Sequence, residues 1–527
     1  MNRRDFLRST TLATVGGMAV RGMSSPLMAA LANSTVEDRV LVVVQLFGGN
    51  DGLNTVIPLD QYSLLSGFRS QVIIPDTDVL LLSGTGNATG LHPAMSGLMD
   101  LWNDDKLTIV QGVGYPDPNY SHFRATDIWE TGSGSDTVLS SGWGGRYLNL
   151  EYPNYPVGFP NAQMPDPLAI RIGGPVSVGL QHMGVNMGIA INNTNDPLNL
   201  AGNIYLDPVS ADCSGGKLDF VRTVQRQADL YGDVIEAAAQ LGCNQSTLYP
   251  VGNQPGAELA QALKIVAQLI CGGLKTKIYW VSMTGFDTHA QQVDSGDHTT
   301  GVHATLLQGL SDAIRAFQDD LYLLGLEDRV LGMTFSEFGR RIMSNASGGT
   351  DHGSSEPMFL FGTKVLPGML GSNPVIDPGT TFNTNLAMQY DYRSVYASVL
   401  KDWFCLDQAE VDQVLLSTYQ SLALVDPDDC IAASVHEANQ GAGESIIEVL
   451  PNPFVEHTVI RYSSHGGRVV LQVFDEQGHL VRTLVNDDRP PGGHQVGCDL
   501  GDMPTGIYYC RLQNNGRQQV KNMLKVR

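Results

Sequence analysis

The chain is short of positive charge. It carries 32 lysines and arginines against 54 aspartates and glutamates, a formal net charge of −22, and that balance disfavours a nucleic-acid backbone or an anionic membrane surface as partner. It also lacks an apolar N-terminal run long enough to stay in a bilayer: Thr11 to Val20 is short and interrupted, whereas a spanning helix needs about 20 apolar residues. What is present is ordinary globular material, 42% hydrophobic over 527 residues, enough for one large domain and a small one. An acidic surface of this kind suits a secreted protein, and part of the excess is available for metal ligation.

The N-terminus reads Asn2-Arg3-Arg4-Asp5-Phe6-Leu7-Arg8, then the modest apolar run, then small residues around Ala30-Leu31-Ala32. This order resembles a twin-arginine export signal spanning residues 1–32, and it implies passage across the inner membrane in the folded state, with the twin-arginine machinery as a partner. Seven cysteines in an exported chain invite disulfides, although spacing does not dictate connectivity. The expected pairs are Cys498 with Cys510, Cys405 with Cys430, and Cys213 with Cys243, with Cys271 a buried small residue of an apolar helix.

Val40 to Phe47 is a continuous β-branched and apolar run ending in glycines, the pattern of a buried parallel strand followed by a tight turn. Leu107 to Val110, Ile278 to Met283, Val330 to Phe335 and Met358 to Phe361 repeat it. Between them lie helical stripes, Leu259, Leu263, Val266 and Ile270, and Leu307, Leu310, Ile314, Phe317, Leu321 and Leu324. Alternating strands and amphipathic helices predict an α/β fold with a doubly wound, mostly parallel sheet. Tyr152 to Pro167 and Gly371 to Thr384 read as loops over it.

Composition turns small and polar over 426–445, the expected linker. Beyond it, Val469, Leu471 and Val473 alternate with polar residues, Gly492-Gly493 marks a turn and Gly506-Ile507-Tyr508-Tyr509 opens a strand, so 446–527 reads as a small antiparallel β-sandwich. Pro451-Asn452-Pro453-Phe454, Val473 to Gly478, Leu500 to Tyr508 and Val520 to Arg527 resemble a type A sorting domain of the type IX secretion system. That resemblance implies export machinery as partner, a secreted or cell-surface location, and attachment at the outer membrane through C-terminal processing. A carbohydrate-binding or merely stabilising sandwich is the competing reading.

Five polar clusters follow β-like runs: Gly48 to Gly52, Tyr120 to Arg124, Gly285 to His289, Phe335 to Arg340 and Thr350 to Gly353. An open α/β sheet binds ligands beyond the carboxyl ends of its strands, where these carboxylates, imidazoles and a hydroxyl can converge on a metal. With His92-Pro93-Ala94, Tyr115 to Glu130 and Gly142 to Leu148, they resemble the bacterial family of unknown function 1501 over residues 38–425, which is similar in expected fold to the alkaline phosphatase and sulfatase superfamily.

The resemblance implies metal ligands at Asp51, Asp287, His289, Glu337, Asp351 and His352. It implies a divalent cation, Zn²⁺ or Mn²⁺, one rather than two, because the Asp287–His289 spacing is short and no histidine follows His352 within the large domain. Asp351-His352-Gly353 is the most specific of these signals. For Asp51 the plain alternative is a turn cap, and for Glu337 a salt bridge to Arg340 or Arg341. Ser121 is the expected nucleophile, at a helix N-terminus that favours an oxyanion; an ordinary N-cap is its plain alternative. Arg124 and Arg146 are candidates to hold an anionic group, and His122 and His92 to donate protons, while His298 and His303 read as surface or capping residues. The Cys or Ser, Pro, Arg spacing that installs a formylglycine is absent. The expected function is hydrolysis of a small anionic phosphate or sulfate ester, with a non-catalytic ligand-binding or cell-surface protein on the same scaffold as the alternative.

Overall fold

The computed structural model describes residues 38–86, 88–194, 213–427, 430, 447–475, 480–514 and 517–526. The export signal over 1–32 and nearly all of the linker lie outside them. The chain separates into two compact units, Met1–Pro427 and Asp428–Arg527.

The first unit is built on a nine-stranded sheet. Its order runs Gly368–Leu370, Leu107–Gly114, Glu356–Phe361, Val330–Ser336, Val40–Phe47, Ile278–Thr284, Ala169–Ile172 and Ile189–Ile191, with Tyr390–Asp391 also on Leu107–Gly114. Val40–Phe47 is central because both its faces are apolar: Val40, Val42, Val44 and Leu46 enter one core, Leu41 and Val43 the other. Each such side chain, fully buried, contributes about 1.5–3 kcal/mol. Helices Ser96–Asn103, Ala257–Cys271 and Val302–Leu324 cover the first face, and His122–Thr131, Trp143–Glu151 and Gln408–Leu415 the second. The doubly wound architecture is therefore as the alternation predicted.

One expected parallel strand is not parallel. Glu356–Phe361 runs antiparallel to both Val330–Ser336 and Leu107–Gly114, because it follows Val330–Ser336 through a short hairpin, Arg340–Ser344 with Thr350–His352, rather than a crossover helix. The reversal starts this strand at the edge where the parallel strands end.

The second unit is antiparallel β, with a core including Val449, Phe454, Ile460, Leu471 and Tyr508. Among the described residues, five strands form one hydrogen-bonded sheet, centred on His457–Phe474. Gly492 and Gly493 do not make the expected turn; they pair with Ser464 and Ser463 inside the long strand Leu480–Asp499. Nearby Gly466 and Gly467 take left-handed φ of 89° and 78°, a conformation that glycine adopts without strain and that lets a long strand bend. No helix among the described residues is long and apolar enough to cross a membrane.

Cys405 and Cys430 are both disulfide-bonded. Cys498 and Cys510 are free thiols, buried opposite Thr458 and Val473 of the same strand. The expected Cys213–Cys243 pair is excluded by length: the 29-residue helix Cys213–Leu241 separates them by about 43 Å at 1.5 Å per residue, whereas bridged Cα atoms lie within about 7 Å.

Candidate metal centre

Parallel strands that share a register end at one edge. Leu46 pairs with Ser336 and Phe47 with Thr284, so the residues after each strand, Gly48, Glu337 and Asp287, emerge together. Gly48 has φ 126°, and a Cβ there would lie 2.3 Å from Asp287 N, so only glycine lets the two turns touch. His122 opens helix His122–Thr131 at the same edge, and His352 ends the hairpin strand before the reversed strand begins.

The centre of this edge is Asp287 with three imidazoles. His289 Nε2 and His352 Nε2 each lie 3.2 Å from Asp287 Oδ1 and 2.9 Å from each other, and His122 Nε2 lies 3.5 Å from Asp287 Oδ2. One ligand atom from each of His122, Asp287 and His352 falls within 4.8 Å of the others. Phe338 packs against the His122 and His352 rings at centroid distances of 5.0 and 4.4 Å and holds their planes.

Behind each imidazole stands an acceptor. His122 Nδ1 meets Glu337 Oε1 at 2.8 Å, His289 Nδ1 meets Asp351 Oδ1 at 3.0 Å, and His352 Nδ1 meets the Tyr120 carbonyl at 2.8 Å. Carboxylates and carbonyls only accept, so Nδ1 donates in all three. In the neutral imidazole the lone pair is then on Nε2, facing Asp287. Lone pairs 2.9 Å apart repel unless a proton or a cation lies between them. Three imidazole nitrogens beside a carboxylate form a donor set that suits Zn²⁺.

Glu337 and Asp351 thus stand behind the imidazoles of His122 and His289 as acceptors. Glu337 is fully buried and also accepts from Gly48 N at 2.9 Å; Asp351 also accepts from Asn345 Nδ2 at 3.0 Å. Burial pushes the Asp351 carboxyl up, but the bonds from Asn345 and His289 outweigh it and hold it below the usual range. Asp287 behaves likewise: burial raises it, and the Arg340 bond and charge, with His352, bring it below. Burial also lowers His352, partly opposed by its bonds to Tyr120 and Asp287, so near neutral pH the centre has an ionised Asp287 and a neutral His352.

Arg340 is the residue whose role the sequence reading missed. The sequence suggests it only as a partner for Glu337, yet its guanidinium donates to Asp287 Oδ1 at 2.7 Å and to the carbonyls of Gly49, Thr350 and Phe286 at 2.7, 2.8 and 3.0 Å. This one buried side chain ties four of the five clusters together and leaves Asp287 Oδ2 as the less encumbered oxygen. Its place directly after Glu337-Phe338-Gly339 was the available signal.

Asp51 does not join the centre. It is buried in an ion pair with Arg69 and accepts from Gln292 Nε2 at 2.6 Å; burial raises its pKa, and the charges of Arg69 and His303 more than reverse that. His303, expected as a surface or capping residue, is buried, and so is His92. Ser121 is the exposed N-cap residue of its helix, and its hydroxyl makes no capping bond. Arg124 is engaged by Asp127 and by the carbonyls of Gly134, Ser135 and Thr137. Arg146 is engaged by the carbonyls of Val414, Ser141 and Thr131. Neither guanidinium is turned toward Asp287. His298 Nδ1 meets the Ile73 carbonyl at 2.9 Å.

Residues 223–415 match the family described as "Protein of unknown function (DUF1501)". Residues 448–526 match the "Secretion system C-terminal sorting domain". The second match marks the protein as exported, to be secreted or displayed at the cell surface. The first spans Asp287, His289, Glu337, Arg340, Asp351 and His352 but stops short of His122 and Asp51. No curated protein matches the chain in sequence. Among solved structures, a Bacteroides fragilis protein named as a sulfatase is 10% identical with a TM-score of 0.32, covering 86% of this chain and 90% of its own. A phosphonate monoester hydrolase from Silicibacter pomeroyi is 9% identical with a TM-score of 0.33, covering 92% and 89%. A Pseudoalteromonas sulfatase is 9% identical with a TM-score of 0.31, covering 88% and 84%. Scores this low carry no functional argument, and the side chains must supply it.

Proposed function

We propose that this exported protein is a metal-dependent hydrolase of small anionic esters, phosphate or sulfate. His122, His289, His352 and Asp287 are the residues that would hold the metal. The carrying observation is the set of three Nε2 atoms turned toward one carboxylate, each fixed from behind by an acceptor on Nδ1. A Zn²⁺ or Mn²⁺ ion bound there would act as a Lewis acid toward an ester oxygen. Asp287 and Arg340 set the charge of the centre, and Glu337 and Asp351 orient the imidazoles. Ser121, with its uncapped hydroxyl one residue from His122 at a helix N-terminus, is the proposed nucleophile.

One observation favours a second reading, a metal-dependent binding protein without turnover: Arg124 is spent on Asp127 and three carbonyls and does not face the centre. The test is elemental analysis of the purified full chain, followed by assay on aryl phosphate and aryl sulfate esters. Bound metal at about one ion per chain, lost in His352→Ala, together with turnover that Ser121→Ala abolishes while the metal stays, supports the hydrolase. Metal without turnover supports the binding protein. A chain that takes up neither Zn²⁺ nor Mn²⁺ overturns both.

A further inference from the structure

Outside the metal centre, two sulfurs stand within reach of each other. Cys243 lies two residues beyond helix Cys213–Leu241, and Cys271 is the last residue of helix Ala257–Cys271. Their Sγ atoms are 3.1 Å apart, and Cys243 N also points at Cys271 Sγ, at 3.4 Å. A disulfide needs the sulfurs only about 1 Å closer, within the range of small side-chain rotations. The backbone is already held: Asp320, fully buried on helix Val302–Leu324, accepts from Gln245 N at 2.7 Å, Ser246 N at 3.0 Å, Asn244 Nδ2 at 2.7 Å and Tyr249 Oη at 3.0 Å. The loop after Cys243 therefore cannot drift away from Cys271 without breaking this anchor.

We propose that Cys243 and Cys271 form a disulfide in the exported protein, clamping the end of the long helix to the end of its neighbour. The sorting domain sends the chain to an oxidising compartment, and Cys405 and Cys430 are already disulfide-bonded. Cys243 is exposed and Cys271 is not, so the oxidant meets Cys243 first. The Cys243 thiolate attacks one sulfur of a protein disulfide of the export compartment and forms a mixed disulfide; Cys271 then gives up its proton and displaces the carrier. The carrier leaves as a dithiol, having taken two electrons and two protons. Burial and the neighbouring Cys243 sulfur push the Cys271 thiol up to about 11, which makes it the second sulfur to react, not the first.

Non-reducing peptide mapping of the full chain purified from the exported fraction, after alkylation of free thiols, decides this. The expected result is a linked pair of peptides containing Cys243 and Cys271, lighter by two hydrogens than the sum of the separate peptides and absent from Cys243→Ser and Cys271→Ser. In both variants the remaining partner should become alkylated, and the Cys405 and Cys430 peptides should stay linked. Alkylation of both thiols in the unaltered exported chain overturns the proposal, as does a linkage from Cys243 to any other cysteine. Because both serine changes are small and one site is exposed, a variant that fails to fold is checked by mapping the unaltered chain alone, which is decisive by itself.

Discussion

Asp51 and Asp287 follow neighbouring strands at the same sheet edge, and each meets a buried arginine, but their surroundings differ. Asp51 is closed in by Arg69, Gln292 and His303, with its side chain 1% exposed; Asp287 is 46% exposed and ringed by three imidazole nitrogens. A sealed aspartate–arginine pair reads as a structural device, because neither charge reaches solvent and each satisfies the other in the interior. An open one beside three oriented imidazoles can exchange partners, which is what binding a cation requires. The same residue type after the same kind of strand is therefore no guide to role until burial is known.

That contrast is breakable. The largest effect is expected from Arg69→Met, which strands the Asp51 carboxylate: a loss of about 3–5 kcal/mol in urea unfolding, largely recovered by adding Asp51→Leu. Asp287→Asn, at the open site, should cost only about 1 kcal/mol. If both single changes cost the same, the two aspartates are not different in kind.

Next comes acid sensitivity around the sealed pair. Burial, reinforced by the nearby His303, pushes His92 down to about 3; burial, partly opposed by Asp51, pushes His303 down to about 4. Both therefore stay neutral in the folded chain while the unfolded chain takes up protons below about pH 6.5. Stability should be flat above that pH and fall by a few kcal/mol between about pH 6.5 and 3, and His92→Gln should remove part of the slope. A stability curve unchanged by that substitution would show that His92 is not buried neutral.

A smaller effect sharpens the open site. Glu337→Gln and Asp351→Asn should each weaken Zn²⁺ binding about 10–100-fold by calorimetry, since they position His122 and His289, whereas Asp51→Asn should leave affinity unchanged. Equal losses at all three would place Asp51 among the ligands after all. Smallest of all, Ser121→Ala should shift stability by no more than about 0.5 kcal/mol, because its hydroxyl caps nothing; a larger loss would mean the hydroxyl is structural.

Much of the fold was legible because it depends on local pattern. The run Val40 to Phe47 and the stripe Leu307 to Leu321 announce a central strand and a covering helix, and the structure has both. The direction of Glu356–Phe361 was not legible, since an apolar run reads the same both ways and only its hairpin connection reverses it. At the site, Asp287, His289 and His352 were visible as clusters after strands, but His122 was read as a proton donor and Arg340 as a side issue. The position of Arg340 directly after a strand-end cluster marks it as near the site, but does not say that its guanidinium will bind the turns at Gly49, Phe286 and Thr350.

What the chain determines by itself is its alternation of apolar strands and helices, its polar turns and its sorting tail, all set by periodicity and short motifs. Which aspartate is sealed and which is open, which imidazole nitrogen turns inward, and which cysteines meet were decided only in three dimensions. Those outcomes depend on burial and on distances of a few ångströms between residues far apart in the chain, and neither quantity is carried by a residue's neighbours in sequence.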